Sequence, residues 1–70
     1  METLRLNGAE RRFEPGRMPA TLAALLKELN IDEAAVVAEV DGKIVPVDRF
    51  AQTSIVPGQS IELIKFMGGG

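Results

Sequence analysis

The chain of 70 residues has no cysteine, histidine, tryptophan or tyrosine, and phenylalanine, at three positions, is its one aromatic residue type. Without thiols there are no disulfides, no thiolate nucleophile and no cysteine-rich zinc site. Without imidazole there is no histidine general base and no residue that titrates near neutrality by its ordinary chemistry. Carboxylates remain, but a catalytic pair needs an enclosed pocket, and a core this small has little volume to supply one. The expectation is therefore a protein that is no enzyme and binds no cofactor of its own. No run of 18 apolar residues occurs, and the opening Met1-Glu2-Thr3 lacks a basic leader ahead of an apolar stretch. Both argue against membrane insertion and secretion, and for the cytoplasm.

What is present describes one small folded domain. The chain is 46% hydrophobic and 26% charged, within the ordinary globular range. Lys and Arg number 8 against 10 Asp and Glu, a formal charge of -2. That balance argues against nucleic acid, whose phosphates require clustered positive charge. Arg11-Arg12 is too short a run to change this and is flanked by Glu10 and Glu14. Asp32-Glu33, or Glu39 with Asp41, lack the loop spacing of a calcium site and read as solvated surface.

The periodicities predict a hairpin, a helix and then more strands. Leu4 and Leu6 alternate with polar neighbours up to Asn7-Gly8, a hairpin turn signal, and Ala9 to Phe13 returns with Ala9, Arg11 and Phe13 on one face. Leu22, Leu25, Leu26 and Leu29 form a helical stripe, with Thr21 as N-cap or Pro19 in the first turn, and with Asn30 as the stop. Val36, Val37 and Val40 suggest a strand that turns at Asp41-Gly42 into Ile44-Val45, and Pro46 marks that strand as an edge. Val47 to Gln52 has no clear period and suits a helical turn. Val56-Pro57-Gly58-Gln59 fits a type II turn, followed by a last strand from Ser60 to Met67. A helix linking a hairpin to a later strand packs on one sheet face, which gives an α+β class.

The last strand leads into Gly68-Gly69-Gly70. Three glycines reach about 10 Å when extended, at roughly 3.3 to 3.6 Å each, and fit a slot too narrow for other residues. The expected division is a domain over residues 1–67 and a flexible tail over 68–70, whose carboxylate ionises near pH 3.5 or so. One reading makes the tail a probe with a single functional group; the other makes it a frayed end. Ile64 and Phe66 put apolar bulk on the same strand face as Glu62. Either they form an exposed docking patch, or a bulge or the Val47–Gln52 turn covers them.

Taken together, the hairpin, the leucine-striped helix, Val40-Asp-Gly-Lys-Ile-Val-Pro46, Val56-Pro-Gly-Gln-Ser-Ile-Glu-Leu63 and the terminal Gly-Gly resemble the ThiS-type sulfur carriers of thiamine biosynthesis. Val47 and Phe50 depart from the Arg and Trp common in that family. The resemblance implies a ubiquitin-like β-grasp fold, with one main helix on a mixed sheet of four to five strands. It also implies a mechanism. An activating enzyme of the ubiquitin-activating type uses ATP and magnesium to adenylate the carboxylate of Gly70. Sulfur from a cysteine desulfurase replaces the adenylate, and a thiazole synthase accepts it from the resulting thiocarboxylate. Gly68 and Gly69 would thread the tail, while Phe50, Ile64, Phe66 and Met67 would contact partners. Two alternatives stand beside this one: a related carrier for molybdopterin or amino-acid sulfur, and a non-covalent ubiquitin-like binding module.

Overall fold

In the computed structural model, which describes residues 1–66, five strands form one mixed sheet in the order β2-β1-β5-β3-β4. Strands β1 (Glu2–Leu6) and β2 (Ala9–Phe13) form one hairpin, and β3 (Val36–Val40) and β4 (Lys43–Val45) form the other. Between them lies β5 (Ser60–Lys65), antiparallel to β3 and parallel to β1. The central strand is thus the last of the five in sequence order among the described residues.

Both hairpins close as their turn residues require. Asn7 and Gly8 have φ of 50° and 83°, and Asp41 and Gly42 have 51° and 84°. Consecutive positive φ values give a turn whose twist matches that of the flanking strands, and Asn, Asp and Gly tolerate it best. Asp41 further fastens this turn to β5: its N–H donates to Ser60 O at 2.7 Å, and its Oδ1 accepts from Ser60 N–H at 2.9 Å.

Helix α1 (Leu22–Glu28) starts at Thr21, whose hydroxyl accepts from Ala24 N–H at 3.1 Å. That settles the cap in favour of Thr21 over Pro19. The helix ends where Asn30 turns left-handed at φ 63° and Ile31 N–H donates back to Leu26 O at 2.9 Å. Leu22, Leu25 and Leu26 are fully buried and Leu29 packs partly beneath. They meet Leu4, Phe13, Val36, Ala38, Ile61 and Leu63 from the sheet.

Short 3-10 segments at Glu33–Ala35 and Val47–Gln52 complete the chain. The second packs against α1 and delivers Phe50 to the core at 1% exposure. Residues 53–55 pair back on the start of α1, through Leu22 N–H to Thr53 O and Ile55 N–H to Ala20 O, both at 2.9 Å, which buries Ile55. At β2, Phe13 is buried, but Ala9 and Arg11 are exposed although they share its face. The strand is an edge, and the core below does not reach that far. No helix among the described residues is long and apolar enough to cross a membrane.

Candidate functional site

The sequence places its candidate chemistry beyond β5, so the way the fold holds that strand defines the site. On the β3 side, Val36 to Val40 pair with Lys65 to Ile61. The ladder continues past the strand with Phe66 N–H donating to Ala35 O at 2.9 Å. On the β1 side the pairing is brief: Arg5 lies opposite Ser60 and Leu6 opposite Ile61. Asn7 N–H then donates to Ile61 O at 2.8 Å, and the turn carries the backbone away.

The side chain of Asn7 takes over where its backbone leaves. Its Oδ1 accepts from Leu63 N–H at 2.7 Å and its Nδ2 donates to Leu63 O at 3.3 Å. A primary amide has one acceptor and donor pair spaced like those of a peptide unit, so it can stand in for one more residue of strand. The strand that leads to the tail is thereby gripped on both edges as far as Leu63.

An apolar surface surrounds this exit. Ile64 is 51% and Phe66 57% exposed, so neither a bulge nor the Val47–Gln52 segment covers them. Ile64 lies directly across from Val37. Val37, Ile44, Pro46, Val47 and Phe66 line a groove at this end of the sheet, with Ile44 itself 68% exposed. For a chain this small, such clustered apolar exposure marks a surface for contact.

The expectations for individual residues divide accordingly. Ile64 and Phe66 lie on the exposed surface. Phe50 is 1% exposed and belongs to the core, but it also lines the floor of the groove, so the expected partner contact is corrected to support of the groove from beneath. Met67, Gly68, Gly69 and Gly70 lie outside the described residues. The sequence reading missed Ile44, whose exposure follows from β4 being an edge strand, and Asn7, which it treated as a turn residue only. Among the described residues no group of three acidic side chains is placed to hold a metal ion.

Comparison with known proteins agrees with this geometry. Residues 4–70 match the model of the ThiS family. Over 65 residues, 93% of its length, the chain is 39% identical to a protein named thiazole synthase from Paramagnetospirillum magneticum, and it spans 19% of that longer relative. The crystal structure of the thiamine biosynthesis protein ThiS from Geobacter metallireducens superposes with a TM-score of 0.80 at 29% identity, covering 97% of this chain and 99% of that one. The solution structure of a thiamine biosynthesis protein from the same organism gives 0.79 at 29% identity, covering 97% and 87%. The five-strand sheet with its single main helix is the β-grasp arrangement. With the family model matched from the first strand through the terminal glycines, the chain belongs to the ThiS family.

Proposed function

We propose that this protein is a sulfur carrier of thiamine biosynthesis, a co-substrate whose working group is the carboxylate of Gly70. The observation that carries the reading is the combination at the end of β5. A central strand, held to Phe66 by Ala35 and beside an exposed apolar surface, leads into three glycines that fall within the family match.

Chemistry constrains the sequence of events. A carboxylate resists nucleophiles until it carries a good leaving group. Attack of the Gly70 carboxylate on the α-phosphorus of ATP, with magnesium, expels pyrophosphate and gives the acyl adenylate. In this reading the activating enzyme supplies that step. The terminal sulfur of a desulfurase persulfide then displaces AMP. Cleavage of the resulting acyl disulfide by a reducing thiol leaves the thiocarboxylate. A chain without cysteine has no thiol on which to hold the sulfur as a persulfide, so in this reading the terminal carboxylate carries it. The receiving enzyme in this reading is a thiazole synthase, which the relative of that name supports. In this reading the carrier meets these partners in the cytoplasm.

Three ordered glycines cost about 3 to 6 kcal/mol of backbone entropy, so the folded body must supply binding affinity. Ile44, Val47, Ile64 and Phe66 are the side chains available for it.

The test is intact mass after incubation with the activating enzyme, ATP, magnesium, a desulfurase and cysteine. Exchange of one oxygen for one sulfur at Gly70 is expected. A mass that never changes would reject the carrier reading and favour a non-covalent module. The mass of the last peptide from the protein's own cells checks that Gly70 is the end in use. Rescue of a thiamine auxotroph separates a thiazole client from a molybdopterin or amino-acid one.

A further inference from the structure

The two edges of β5 are not equally covered. In the antiparallel ladder with β3, residues 60 and 66 make the hydrogen bonds, through Asp41 N–H to Ser60 O and Phe66 N–H to Ala35 O. By alternation, the backbone groups of residues 61, 63 and 65 face the other way, towards β1. Ile61 and Leu63 find partners there, namely Asn7 N–H and the Asn7 side chain. Lys65 does not. The β1 pairing ends at Leu6 opposite Ile61, and the hairpin turns away at Gly8. Among the described residues, no strand lies beside Lys65 on that edge. In the middle of the sheet, then, one short length of strand presents an N–H and a C=O that have no partner among the described residues. It lies one residue from Ile64 and Phe66 and immediately ahead of the chain's end.

An open strand edge is a template for another extended segment. We infer that an extended backbone segment of the sulfur-accepting enzyme adds to the sheet at Lys65, pairing along the edge that Asn7 leaves free. This deepens the carrier reading and rests on it. Glycines offer an enzyme no side chains to recognise, so contact with the glycines themselves has to come from backbone hydrogen bonds. The Lys65 edge is a pre-ordered place for such pairing to start, because Asn7 and β3 already fix the strand on either side of Leu63. The Lys65 side chain is not required, only its peptide groups.

The experiment compares amide exchange at Lys65 in the free carrier and in its complex with the thiazole synthase encoded in the same genome, read by NMR on labelled carrier. Protection of Lys65 by at least about tenfold is expected in the complex, while the Ile64 and Phe66 amides, already directed at β3, change far less. Lys65→Pro removes the outward N–H and leaves the β3 ladder untouched, an edge position where proline is tolerated. It is expected to lower transfer to the synthase by about tenfold. Unaltered exchange at Lys65 in the wild-type complex would overturn the inference, whether or not the proline variant folds. So would protection that rises with concentration of the carrier alone, which would mean that a second copy occupies the edge. A carrier that is loaded with sulfur yet unprotected at Lys65 defeats this inference only. A carrier that is never loaded defeats the carrier reading first.

Discussion

Asn7 and Leu63 are 56 residues apart in sequence, yet the side-chain amide of one satisfies both backbone groups of the other. The first hairpin turn and the strand leading to the glycines are therefore a single mechanical unit. Asn7→Gly isolates this contact, because glycine accepts the same positive φ and loses only the amide. The expected result is a loss of about 1 to 2 kcal/mol in denaturant unfolding, the usual effect of leaving partly buried backbone groups unpaired. A loss below about 0.5 kcal/mol would show that solvent replaces the amide freely.

Phe50 and Phe66 should respond in opposite ways. Phe50 is buried and Phe66 is largely exposed. Phe50→Ala is expected to cost about 3 to 5 kcal/mol, a large part of a small domain's total stability. Phe66→Asp should change stability by no more than about 0.5 kcal/mol while weakening capture by the thiazole synthase about tenfold. Thermal melts and a binding titration on both variants check the contrast. Unfolding of the Phe66 variant would put that ring in the core.

Glu39 and Glu62 sit directly opposite one another on β3 and β5. Like charges across a ladder repel, so Glu62→Lys is expected to raise stability by about 0.2 to 1 kcal/mol at low salt. The gain should shrink near 1 M salt, where screening acts within about 3 Å. A gain independent of salt would point to a cause other than charge.

Deleting Gly70 is expected to abolish sulfur loading, as read by mass, and to leave the unfolding midpoint where it was. A marked fall in the midpoint would mean that the terminus has a structural role.

Local signals in the sequence were strong. Asn7-Gly8 and Asp41-Gly42 announced both hairpins because few residue pairs accept consecutive positive φ. The leucine stripe and Thr21 located α1 because helical burial follows a fixed period. Pro46 marked an edge, and β4 is one. The relationships between elements were less legible. Nothing in the sequence of β5 says that it pairs parallel with β1, since that depends on the whole sheet. Phe50 lies in a stretch with no period, so its inward direction had no signal. The amide of Asn7 was masked by its turn role, which explains the residue without any distant partner. The exposure of Ile64 and Phe66 was posed as a question by their alternation with Leu63 and Lys65, and it was answered only by the folded arrangement, in which no element among the described residues covers them.

Because β5 follows the other four strands in sequence yet lies between the two hairpins, its placement also governs assembly. Until β5 emerges from the ribosome, β1–β2 and β3–β4 are two ribbons with no strand between them, and each has an unmatched inner margin. Closure of the sheet therefore waits for the synthesis of β5, so products truncated ahead of it should be unable to fold and be open to proteolysis.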